Sequence, residues 1–173
     1  MRRGGFSGRG KLLSGRRKNG RGRRLVFWAK RYLLPGMSKE NLAKEKTARR
    51  ILLLAAVLGG AGVALGAFGA HGLQKLELPP KGLEWWGTAV DYLFVHALAL
   101  FGLAVWMRAG GRGSRGAVLG WLVGVVLFSG SLLAMTLGAP RGLGAVAPIG
   151  GTAFIVGWIF LAVAACRGGE KEA

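Results

Sequence analysis

Apolar residues in this chain do not recur at the spacing of an amphipathic surface helix; they run on unbroken. Ile51 to Ala70 is a stretch of 20 residues without a charge. Gly87 to Met107, Gly116 to Leu137 and Ile149 to Cys166 are comparable, with Asp91 the only formal charge in any of them. About 20 residues of α-helix rise about 30 Å, the thickness of a bilayer's hydrocarbon core. In hydrocarbon every peptide group has to bond within its own segment, so each run is expected to be a helix. The stretches between them carry Pro79-Pro80, Gly110-Gly111 and Pro140, all turn formers. The pattern predicts an all-α, polytopic membrane protein. Its four transmembrane helices, over about residues 51–70, 87–107, 116–137 and 149–166, form a compact antiparallel bundle. A cleaved signal peptide is the rival reading of the first run, but that run exceeds the apolar core of such peptides, about 7–15 residues.

Composition and charge refine this picture. Of 173 residues, 51% are hydrophobic, yet 25 Lys and Arg face 7 Asp and Glu, a formal charge of +18. A disordered basic chain would be poor in hydrophobics, and a basic soluble domain would not hold such runs. One Cys excludes a disulfide framework or a Cys-rich metal site, and two His with seven acids leave little for a catalytic centre. The charge is unevenly placed. Residues 1–36 hold 12 Lys or Arg and no acid, in strings such as GRRKNGRGRR. Four readings fit this leader: an RNA-binding tail, an organelle transit peptide, a basic arm on the membrane surface, or sequence that is not translated because synthesis starts at Met37. The last is preferred, and nucleic acid is not expected as a partner. Residues 37–50 then form a basic N-terminal segment and residues 167–173 a tail. Near the span ends, Lys44, Lys46, Arg49, Arg50, Arg108, Arg112, Arg115, Arg167 and Lys171 fall on one side and Lys75, Lys81 and Arg141 on the other. Positive residues stay cytoplasmic, which gives N-in and C-in. Trp85, Trp86, Trp106 and Trp121 are expected in the interfacial aromatic belts.

Helices in lipid associate through small residues and polar bonds. Gly59, Gly62, Gly66 and Gly69 share one face of the first span, and Gly116, Gly120 and Gly124 form overlapping GxxxG units in the third. Gly150 and Gly151 open the fourth. These positions are expected to pack helices within the chain. Polar residues inside spans are functional candidates, and Asp91 and His96 in the second span stand out. Asp91 is expected about one turn from the outer end, with His96 deeper and about 140° away around the helix, on a stripe with Trp85 and Tyr92. His71 and His96 would be a minimal axial pair for haem, but their depths differ, so no haem and no other cofactor is expected. His96 is instead expected to donate across the bundle to a carbonyl, to Ser129 or Ser131, or to Thr152. No GxSxG, HExxH or Cys-His pairing points to a catalytic residue or metal ligand. The Gly-rich GLGAVAPIGG lacks the GK[ST] of a phosphate loop and reads as a tight entry to the fourth helix.

Four strings, GAFGAHGL (66–73), HALAL (96–100) preceded by Trp85 and Tyr92, LFSGSL (127–132) and PIGGTAFIVGW (148–158), carry a family resemblance. In order and spacing they resemble the small membrane family catalogued as domain of unknown function 423, similar to the transmembrane protein 256 group of animals. The resemblance covers roughly residues 50–166, and members begin near Met37. Its signature falls on Gly69, His71, Gly72, Trp85, Tyr92, His96, Ser129, Gly130, Pro148, Gly150, Gly151, Thr152 and Trp158. The chain departs from the pattern at Leu133, where an aromatic is common, and at Ala147, where Thr is common. The resemblance implies a four-span inner- or plasma-membrane protein and no particular activity, substrate or cofactor. The function expected is that of a non-enzymatic accessory or membrane-organising factor in a bacterial inner membrane, with lipid, a membrane-protein partner or a second copy as its contacts. Two alternatives stay open: an oligomeric transporter with a proton-linked path through His96, Tyr92 and His71, and a membrane enzyme acting on a lipid or quinone.

Overall fold

The computed structural model describes residues 38–167. The expectations for the leader, for a start at Met37 and for the tail beyond Arg167 lie outside these residues. Among the described residues there is no strand, and four helical rods are long and apolar enough to cross a membrane.

The first rod, α1 (Lys39–His71), has 33 residues. At 1.5 Å per residue it is about 50 Å long, some 20 Å more than a hydrocarbon core. The excess is the charged segment before Ile51, which continues the helix because Lys, Glu, Ala and Leu favour it and Lys44 pairs with Glu40 one turn back at 3.0 Å. The second rod, α2 (Gly82–Arg108), begins five residues before the apolar run. Ser114 starts the third by accepting a hydrogen bond from the Ala117 amide at 3.2 Å. This rod has three consecutive parts: α3 (Arg115–Gly124), a π-helical turn (Val125–Ser129) and α4 (Gly130–Thr136). A short 3-10 turn (Arg141–Ala145) leads into α5 (Ala147–Cys166), whose first turn holds Pro148, where a missing amide costs nothing.

Two helices end alike. Gly110 and Gly138 adopt φ of 96° and 95°, conformations that suit glycine. The Gly111 amide bonds to the Trp106 carbonyl and that of Gly110 to Met107, while Ala139 and Gly138 reach Ala134 and Met135 in the same way. Both are Schellman ends, which consume carbonyls that hydrocarbon could not satisfy.

Within the bundle, α1 packs along α2, α5 along α3 and the π-helical turn, and α2 against that turn and α4. The outer members are mostly lipid-facing: 17% of the first and last apolar windows is buried, against 44% and 39% for the second and third. Glycines set the close approaches. A Cβ on Gly62 would meet Leu93 and Phe94, one on Gly66 would approach Val90, and one on Gly69 would strike the Trp86 indole. Gly59 differs, with nothing within 4 Å. On the other side Gly116 faces the Phe160 ring, Gly120 abuts the Gly157 backbone, Gly124 faces Phe154, and Gly150 meets the Phe128 backbone. Gly151 only grazes the Phe128 ring. Two tryptophans depart from the belt expectation. Trp121 is 0% exposed, its indole against Gly157, and Trp86 is 4% exposed, its indole nitrogen donating to the Leu65 carbonyl at 2.9 Å. Neighbouring glycines admit these large rings, so both fill the core rather than float at the interface.

Candidate ligand groove between the second and last helices

His96 lies at the midpoint of α2 and is 2% exposed. Its Nδ1 is 2.7 Å from the Tyr92 carbonyl oxygen one turn back. A carbonyl only accepts, so Nδ1 carries the proton and Nε2 presents a lone pair. The expected donation across the bundle is therefore not what occurs; the imidazole is pinned to its own helix. The other candidates behave likewise: Ser131 donates to Phe128 at 2.9 Å and Thr152 to Pro148 at 3.0 Å, both within their own rods. His96 Nε2, Ser129 Oγ and Trp121 Nε1 are buried without a partner among the described residues.

The cross-helix bonds come from elsewhere. Besides Trp86, Thr136 donates to the Gly82 carbonyl at 3.0 Å while also within 3.0 Å of the Leu132 carbonyl, and Ser114 reaches the Phe160 carbonyl at 3.4 Å. An exposed Arg108–Glu45 pair, 2.8 Å apart, ties α2 to α1. Sequence reasoning passed over Thr136 and Ser114 because both stand at span ends, where a hydroxyl looks like a boundary residue.

What surrounds His96 is aromatic. Phe154 of α5 stacks on the imidazole with ring centres 3.6 Å apart and planes 10° from parallel. Trp121 and Trp158 lie at 6.3 and 6.2 Å. Tyr92 packs on Phe128 at 4.5 Å and on Phe154 at 5.7 Å. Phe128 reaches this cluster from the π-helical turn, where the wider helix and Gly150 opposite bring α5 against its backbone.

All of these rings except Trp121 wall a groove of about 690 Å³ between α2, the π-helical turn and α5. The structure brings Asp91, Tyr92, His96 and Thr152 to it; His71, Trp85, Ser129 and Ser131 lie elsewhere. His71 is exposed at the end of α1, and half-buried Trp85 lines a separate cavity of about 510 Å³ with Lys81 and Arg141. Because α2 starts at Gly82, Asp91 is about 13 Å along the helix, four residues into the apolar run that begins at Gly87. It is exposed on the groove and forms no hydrogen bond or ion pair among the described residues; the Tyr92 hydroxyl likewise has no partner there. Among the described residues no three His, Cys, Asp or Glu side chains gather as a metal site.

Four apolar helices, two of them closed by Schellman turns, and a polar-flecked groove define a small integral membrane protein. A family profile described as "Protein of unknown function (DUF423)" matches residues 65–151. The chain is 44% identical over 119 residues to the UPF0382 membrane protein YwdK of Bacillus subtilis, a match covering 67% of this chain and 95% of that one. It is 41% identical over 113 residues to a UPF0382 membrane protein of Haemophilus influenzae, covering 65% and 90%. To the UPF0382 inner membrane protein YgdD of Escherichia coli it is 40% identical over 129 residues, covering 70% and 92%. No solved structure matches significantly. The chain belongs to the DUF423 family of membrane proteins.

Proposed function

We propose that this is a non-enzymatic accessory protein of the bacterial inner membrane, multi-pass with both ends cytoplasmic, and that it works by binding in the groove between α2 and α5. One observation carries the reading: the polar groups of the groove lead nowhere. Asp91, Tyr92 and His96 descend from one end of α2 to its midpoint. Beyond them residues 97–107, 116–127 and 158–165 contain no hydroxyl, carboxylate, amine or imidazole. A proton arriving at His96 has no onward acceptor, so a binding pocket suits the constellation better than a conducting path. The inner-membrane assignment draws support from the E. coli relative's name, and the orientation from Arg108, Arg112, Arg115 and Arg167 at one end of the bundle.

The test is reconstitution. Proteoliposomes holding a pH-sensitive dye and an imposed membrane potential are expected to take up protons no faster than empty liposomes. Uptake that depends on the protein and disappears in His96→Gln would replace the binding reading with the transport one.

A further inference from the structure

From the chemistry of the groove we infer that its ligand is a lipophilic organic cation, held by the Asp91 carboxylate against the aromatic wall. This rests on the groove being a binding site and adds the class of molecule. Asp91 lies four residues, about 6 Å, inside the apolar run that starts at Gly87, towards the middle of the helix. An exposed carboxylate at that depth is costly unless something neutralises it. Nothing in the described chain does.

The membrane-spanning runs of a second copy do not supply the missing charge. Residues 51–70, 87–107, 116–137 and 149–166 contain no Lys or Arg, so no neighbouring helix of the same sequence brings a cation to that level. The ligand's charge is also determined by what lines the groove: Asp91 is its only charged residue, and no Lys or Arg borders it. An anionic headgroup would meet repulsion there.

The rest of the wall suits a cation with an apolar body. Tyr92, Phe128 and Trp158 border the groove together, and Tyr92 and Trp158 are 42% and 44% exposed. The π-faces of such rings attract cations electrostatically, most strongly where water is excluded. His96 makes the floor. Its Nδ1 bond to the Tyr92 carbonyl and its stacking on Phe154 hold the floor flat, and the Tyr92 hydroxyl is free to act at the rim.

Two probes of nearly the same shape and opposite charge separate the possibilities. The full-length protein in detergent micelles is dialysed to equilibrium against tetraphenylphosphonium or tetraphenylborate, with protein-free micelles as the partition control. Saturable binding of the phosphonium is expected, weakened about tenfold or more in Asp91→Asn, a change of at least about 1.4 kcal/mol. Trp158→Leu, which leaves the charge in place, is expected to weaken the phosphonium as well, and Asp91→Glu to retain it. The borate is expected to show no saturable binding. Equal phosphonium binding in wild type and Asp91→Asn overturns the inference. Saturable borate binding, lost in Trp158→Leu, overturns the cation class and leaves the groove standing as a site. If neither probe binds above the micelle control, the groove reading falls with it. Elution of each variant as the same monodisperse species shows that the fold has survived; Asp91 is exposed and unbonded, so its replacement by Asn removes no internal contact.

Discussion

Thr136 and Ser129 are both about 1% exposed hydroxyls on the third rod, and they do opposite things. Thr136 spans two rods, donating to Gly82 on α2. Ser129 bonds to nothing described. Removing the first leaves a buried carbonyl short of its donor, whereas removing the second relieves an unmet desolvation cost. Thr136→Val is therefore expected to lose about 1–2 kcal/mol of unfolding free energy, and Ser129→Ala to be unchanged or more stable by up to about 1 kcal/mol. Unfolding titrations in mixed micelles measure both; a Ser129→Ala loss matching that of Thr136→Val would mean that Ser129 holds a partner, such as a buried water. Of the groove, the sequence revealed Asp91, Tyr92, His96 and Thr152, because polar residues in hydrocarbon are conspicuous. It did not reveal Phe128 and Phe154 as the rings that surround them. An aromatic in an apolar span carries no mark of the face it occupies, since lipid and protein interior are equally apolar.

Helices were legible for the converse reason: a charge-free run of some twenty residues has few other folded solutions. Their ends and irregularities were less so. The extension of α1 before Ile51 has the composition of a solvated tail, and its helix formers and the Lys44–Glu40 pair settle into helix because a span continues them. The π-helical turn at Val125–Ser129 changes the hydrogen-bond register without changing composition, so nothing in VVLFS announces it. Glycine spacing was informative about packing but silent about partners. Gly120 sits where a Cβ would lie 2.8 Å from the Gly157 backbone, which cannot retreat as a side chain can, whereas Gly59 faces open space. Gly120→Ala is accordingly expected to force the third rod and α5 apart at a cost of about 1–3 kcal/mol. Gly59→Ala is expected to be neutral or slightly stabilising, since alanine is the better helix former. Thermal unfolding of the two purified variants checks the contrast, and equal losses would show that the α1 face is covered by something beyond the described chain.

At the largest scale, the described residues form two tightly packed pairs, α1 with α2 and α5 with the third rod, joined where α2 meets the π-helical turn and α4. The π-helical turn at that joint carries Phe128 into the groove wall, and the orientation of the bundle decides which compartment a ligand enters from. Asp91 is nearer the end that bears Lys81 and Arg141 than the end that bears Arg108, Arg112 and Arg115. If the richer cationic end is cytoplasmic, the carboxylate lies in the outer leaflet and a ligand approaches from the periplasmic side. Cys166 offers a direct check, being the single cysteine of the chain, exposed, and at the cytoplasmic end of α5 on this orientation. A membrane-impermeant maleimide is expected to leave it unlabelled in intact spheroplasts and to label it in inverted vesicles. In a Cys166→Ala background, Lys81→Cys is expected to give the reverse pattern. Labelling of Cys166 in sealed spheroplasts would invert the bundle and put Asp91, with the groove it lines, on the cytoplasmic side.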